Sequence, residues 1–104
     1  MPSDSFLKLA PFARRAGVAI TGRERLHRLS KQLTFLWVTE DASERTVREL
    51  QGEFACPLVR FLTTADVERV LGFQGTKVVG FTESSLATSL FNACADHRIQ
   101  EAQP

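Results

Sequence analysis

Two rhythms of apolar residues alternate along the chain, one at helical spacing and one in short continuous runs. Phe6, Leu9, Phe12, Ala13 and Ala16 recur as one face of a helix that Ser5 can cap and Gly17 can end. Pro11 interrupts this stripe, so the helix either starts near Ala10 or is kinked there. Val18, Ala19 and Ile20 read as a short strand. Gly22 then opens a helix with Leu26, Leu29 and Leu33 on one side and Glu24, Arg25, Arg28 and Lys31 spread over the other. The run from Leu33 to Val38 is the most hydrophobic of the chain and suits a central strand covered on both faces, although Leu33 fits either element.

The same alternation continues to the C-terminus. Ser43 is a helix cap ahead of the buried stripe Val47, Leu50 and Phe54, and Cys56 to Leu62 is a further strand. Thr63 or Thr64 caps a helix that carries Val67, Val70 and Leu71 inward and stops at Gly72. Lys77 to Phe81 is the last expected strand, and Thr82 or Ser84 begins a helix through Leu86, Leu90, Phe91 and Cys94. The order αβαβαβαβα defines the α/β class. Helices joining short strands imply right-handed crossovers and a three-layer α/β/α sandwich on a four-stranded, mostly parallel or mixed sheet. A ligand edge is expected where strand ends meet helix starts, at Thr21 to Arg25, Thr39 to Ser43 and Gly72 to Thr76.

Length and composition narrow the picture. The 104 residues suffice for one core, so residues 1–104 are read as a single domain with an ordered part of about 6–96, fraying at Met1 to Asp4 and Gln100 to Pro104. No apolar run approaches the roughly 20 residues that span a bilayer, and the N-terminus lacks a secretory pattern, which points to a cytoplasmic chain. Cys56 and Cys94 stand far apart without metal-ligand spacing and are read as reduced, mostly buried thiols. His27 and His97 have no nucleophile at a recognisable elbow, and neither a GxGxxG nor a phosphate-loop pattern occurs, so no enzyme, cofactor, metal or small-molecule substrate is expected.

Charge distribution is more telling than net charge. Residues 1–32 hold seven basic and two acidic side chains, a balance of +5, whereas the remainder is net −4. Such a split favours an acidic partner for one face, and a solvated charged surface accounts for it as well. The basic residues cluster from Arg14 to Lys31, beside the start of a helix, where exposed amides and cations point the same way.

The series Ala13-Arg-Arg-Ala-Gly17, Thr21-Gly22, Thr39-Glu-Asp-Ala-Ser43, Thr64-Ala-Asp-Val, Leu71-Gly72 and Val78-Val-Gly-Phe-Thr82 resembles the ribosomal L-seven-Ae and L-thirty-e superfamily, nearest its small bacterial branch. The resemblance covers roughly residues 6–92. It implies a non-catalytic, ribosome-associated type of protein that binds kink-turns or related bent loops in structured RNA. In that family the turn after the first strand and the next helix start read the bend with a Gly-x-Asn-Glu-x-x-Lys pattern. Counting from Gly22 puts Glu24 at the Asn position, Arg25 at the Glu position and Arg28 at the Lys position; only Arg28 keeps its chemistry. A one-residue slide restores the carboxylate as Glu24, with Arg23 at the Asn position and His27 at the Lys position. A cation can donate to guanine O6 and N7, and a carboxylate can accept from guanine amino and imino groups. The family's third contact falls on Phe73 and Gln74, where an aromatic ring suits stacking on an unstacked base.

The RNA-binding residues implied are therefore Gly22, Arg23, Glu24, Arg25, Arg28, Glu40, Asp41, Phe73 and Gln74. Simpler roles stand beside these. Arg14 and Arg15 can complement a helix C-terminus or contact phosphate. Glu24 and Arg28 can form a surface ion pair. Phe73 can be loop core, Trp37 belongs to the core, and Glu40 and Asp41 can shape their loop or, for Asp41, help Ser43 cap a helix. The alternative function is a protein-interaction module on the same scaffold, with weak or no specific RNA binding. The partners expected are thus structured RNA, with a possible ribosomal or other protein partner, and no membrane.

Overall fold

The computed structural model describes residues 2–103, with side chains from residue 4 onward. Five helices, α1 (Pro2–Arg15), α2 (Arg23–Arg28), α3 (Glu44–Glu53), α4 (Thr64–Leu71) and α5 (Ser85–Cys94), alternate with β1 (Ala19–Ile20), β2 (Leu33–Val38), β3 (Leu58–Arg60), β4 (Val78–Thr82) and β5 (Arg98–Gln100). The strands form one five-stranded sheet in the order β1-β4-β2-β3-β5. Helices cover both faces. On one side α1, α4 and α5 bury Phe6, Ala10, Ala13, Val67, Leu71, Ala87, Leu90 and Cys94 against Phe35, Trp37, Val59 and Phe81. On the other, α2 and α3 bury Leu26, Val47 and Leu50 against Ile20, Leu36, Val38 and Leu58.

The α/β sandwich thus agrees with the sequence pattern, and the sheet is the mixed one of the two arrangements expected; it differs in having five strands where four were expected. Only β2 and β3 run parallel; β4 is antiparallel to both β1 and β2, and β5 is antiparallel to β3. A helix between two strands implies a parallel crossover only if the intervening chain ends at the opposite end of the sheet. Residues 64–77 instead leave and return to the same point. Lys77 Nζ donates to Thr64 Oγ1 at 3.0 Å, and Thr39 N donates to the Lys77 carbonyl at 2.9 Å. Val78 therefore starts β4 opposite Val38, the end of β2.

The difference is the fifth strand, in a segment whose end was expected to fray. Gln100 Nε2 donates to the carbonyls of Phe54 at 2.9 Å and Cys56 at 3.1 Å, and Gln103 N donates to the Ala55 carbonyl at 2.7 Å. These bonds tie β5 to the α3–β3 connection. Of the other residues expected to fray, Asp4 lies within α1, while Met1 and Pro104 are outside the described residues.

Helix α1 is continuous through Pro11. Its buried stripe is Phe6, Ala10 and Ala13, with Phe12 52% exposed, so the face differs from the one the apolar spacing suggested. Burial supplies what the missing proline amide loses: Phe6 makes edge-on contacts with Trp37 at 4.8 Å and Phe61 at 5.0 Å between ring centroids. Trp37 Nε1 donates to the Phe61 carbonyl at 2.9 Å, which satisfies the indole inside the core. Caps act as the local chemistry dictates. Ser43 and Ser84 accept amides of Thr46 and Ala87, Thr63 and Asp66 form a reciprocal capping box, and Gly72 ends α4 in the left-handed region at φ 76°.

Candidate nucleic-acid interface

The short helix α2 owes its place to a glycine in the sheet beneath it. Leu26 is its fully buried residue, and a Cβ on Gly80 of β4 would stand 2.4 Å from Leu26 Cδ2. Without a side chain at Gly80, α2 lies close on the strand pair β1–β4, and its outer side is presented to solvent. Gly22 precedes it at φ 93°, a backbone region that L side chains rarely adopt, and turns the chain from β1 into the helix. Arg23, Glu24, Arg25, His27 and Arg28 are all exposed.

These residues divide into two sets. Arg23 Nη1 meets Glu53 at 3.1 Å and Glu49 at 3.7 Å, both on α3. His27 Nε2 hydrogen-bonds the same Glu53 at 2.9 Å, and its ring stacks on Phe54 at 4.8 Å. The other set is Arg25 and Arg28, three apart on one side of the helix and followed three residues later by Lys31 in the 3-10 turn Ser30–Gln32. Among the described residues none of these three side chains makes a hydrogen bond or ion pair, and the pair that the Glu24–Arg28 spacing allows is not formed. Arg25, Arg28 and Lys31 therefore form a ridge of uncompensated positive charge. Because α2 spans only six residues, the ridge owes its potential to side chains more than to a helix dipole.

Asp41 has a different task. Its carboxylate accepts from the Thr64 amide at 3.2 Å and the Thr64 hydroxyl at 2.9 Å, and lies 3.8 Å from Lys77 Nζ. The neighbouring Thr39 hydroxyl, the Thr64 hydroxyl and amide, and the Lys77 charge hold its pKa down at about 2. Asp41 thus holds the start of α4, not that of α3. Glu40 is exposed; its amide donates to the Leu62 carbonyl, and its own carbonyl accepts from Arg60 Nη2 at 3.1 Å. Arg60 also donates to the Ala42 carbonyl at 2.8 Å and to Glu44 at 2.9 Å, which braces the whole Thr39–Ser43 loop.

Phe73 is half-buried on the core of the α1, α4 and α5 layer, and the Arg14 guanidinium lies 4.6 Å over its ring. Arg14 also donates to the Leu71 carbonyl, so it closes the C-terminus of α4. Gln74 is exposed beside it. No hydrogen bond or ion pair among the described residues joins Gly22–Arg28 to Glu40, Asp41, Phe73 or Gln74. The nine candidates thus share no direct bond across the three segments, yet the register of β1 and β2 with β4 brings the end of β1, the end of β2 and the start of β4 to one end of the sheet. Glu49 and Glu53 were not among the candidates. The spacing of Arg45, Glu49 and Glu53, four residues apart along α3, is the signal that marks their common stripe.

No protein-family model and no curated protein matches the chain. Solved structures do share its fold. One is a Bacillus halodurans protein of unknown function, at 22% identity and a TM-score of 0.76, covering 86% of this chain and 96% of that one. Another is the 15.5 kD RNA binding protein of Giardia lamblia, at 11% identity and a TM-score of 0.68, covering 92% of this chain and 87% of that one. Among the described residues no helix is long and apolar enough to cross a membrane.

Proposed function

We propose that the chain is a non-catalytic, cytoplasmic RNA-binding protein that recognises bent, structured RNA through the turn and helix start at residues 21–28. The observation that carries the reading is the uncompensated ridge of Arg25, Arg28 and Lys31 on α2 and its following turn. Unpaired cations on a helix seated through the buried Leu26 suit phosphate contact, and a guanidinium suits the O6 and N7 edge of a guanine. The RNA-binding protein of Giardia lamblia that shares the fold supports the same partner class. Kink-turn recognition here relies on Arg25 and Arg28, because Glu24 occupies the position of the expected asparagine.

A gel-shift series with a kink-turn RNA, the same RNA with its guanine pairs disrupted, and a plain duplex tests this. Arg25→Ala and Arg28→Ala should each weaken kink-turn binding by about 1–3 kcal/mol if they touch guanine edges. Unchanged affinity in both variants removes the assignment. Equal affinity for all three RNAs, falling steeply with salt, means phosphate-only binding. No binding to any of them favours the protein-interaction alternative.

A further inference from the structure

Five basic or imidazole groups stand on or just after α2, yet only three are available to an anion. Arg23 is shared between Glu49 and Glu53, and His27 is bonded to Glu53 and stacked on Phe54. Both acidic residues come from α3, and Glu53 is its last residue. Arg23 and Glu53 are 40% and 33% exposed, open enough for an RNA phosphate to compete with the carboxylate for the guanidinium. Resting on the RNA-binding reading above, we infer that Glu53, assisted by Glu49, is a specificity-determining residue of the edge. It holds Arg23 and His27 in intramolecular contacts and so withholds them from indiscriminate phosphate binding.

The physical basis is the division of labour in nucleic-acid recognition. Phosphate contacts raise affinity for every sequence and shape alike, while base-edge contacts distinguish them. A ridge with every cation free would grip any duplex. Tying Arg23 to α3 lowers that general attraction and leaves Arg25 and Arg28 as a larger share of the binding energy. The two carboxylates thus act against plain helical RNA more than against a bent RNA whose guanines those arginines reach.

Salt titrations of affinity for a kink-turn RNA and a plain duplex of equal length, with wild type, Glu53→Gln and Glu49→Gln, test the inference. Glu53→Gln should bind the duplex about two- to fivefold more tightly, the range expected for releasing an exposed pair. Its salt dependence should steepen by about 0.7–0.9 for each phosphate gained, and its preference for the kink-turn should fall. Glu49→Gln should shift duplex affinity in the same direction by less, and Arg23→Ala in the Glu53→Gln background should remove most of the gain. Duplex affinity and salt slope equal to wild type in both single variants would overturn the role of the carboxylates while leaving the RNA-binding reading intact. A gain that survives Arg23→Ala in full would also overturn it. Failure of wild type and every variant to bind either RNA would overturn the RNA-binding reading and this inference with it.

Discussion

Gly80→Ala isolates the contact that seats the ridge-bearing helix. Gly80 lies in β4 between Ile20 of β1 and Leu36 of β2. Its φ is an ordinary one, so the new methyl meets no backbone strain and should gain about 0.4–1 kcal/mol from a stiffer unfolded chain. Against this, the methyl would stand 2.4 Å from Leu26 Cδ2, 3.0 Å from Leu33 Cδ2 and 3.3 Å from Leu36 Cδ2. Ordinary carbon contacts begin at about 3.5 Å. Leu26 is 1% exposed and must move by about an ångström in a packed core, where overpacking costs about 1–3 kcal/mol. The net loss is about 1–2 kcal/mol, or a Tm lower by about 5–15 °C for a domain of this size. Calorimetry of wild type, Gly80→Ala, Leu26→Ala and the double variant measures it. Leu26→Ala alone should cost about 2–5 kcal/mol, and the double variant about 1 kcal/mol less than the sum, because the introduced methyl fills part of the emptied volume. An unchanged Tm in Gly80→Ala together with strict additivity would refute the close seating of α2.

Two further expectations concern titratable groups. Asp41 has a folded pKa of about 2, below its ordinary 3.8, so its stabilising contribution is complete above about pH 4 and is lost as pH falls through 2. Urea midpoints of wild type and Asp41→Asn should differ at pH 5 and converge near pH 2, while the depressed pKa of Asp66, due first to Arg69 and then to the Thr63 amide, weakens both proteins in the same direction; parallel curves would contradict the α4 cap. Burial pushes the thiols of Cys56 and Cys94 up to about 11 and about 12, so a thiol reagent at pH 8 should modify both far more slowly in the native protein than in denaturant, and equal rates would show that they are open.

What was legible in the sequence follows the range of the interactions concerned. Ser43, Thr63 and Ser84 cap their helices through amides three residues away, and hydrophobic runs near Trp37 and Val79 mark the buried strands, so these could be read from neighbours alone. The direction of β4 was not legible, since it depends on Lys77 returning to Thr64 and Asp41. Strand β5 escaped notice because its ties to Phe54 and Cys56 join distant segments, while its own three residues carry little apolar pattern. The stripe of α1 was displaced because Phe12 is apolar yet exposed beneath Arg15, whose guanidinium lies 4.7 Å over its ring. At the candidate site the cationic identity of α2 was plain. That α3 would neutralise Arg23 and not Arg25 or Arg28 depends on how two helices lie together, and composition does not encode it.

The pairing of β1 with β4 has a consequence in time. Strand β1 comes early in the chain, whereas the strand it pairs with, and the glycine on which α2 rests, come late. Contacts between distant segments form slowly, because a long loop must close before they are rewarded. During synthesis, α2 and its cations therefore emerge long before the surface that positions them exists. The ridge acquires its shape only when β4 enters the sheet, which makes the arrangement of Arg25 and Arg28 a late product of folding and ties this edge's competence to completion of the sheet.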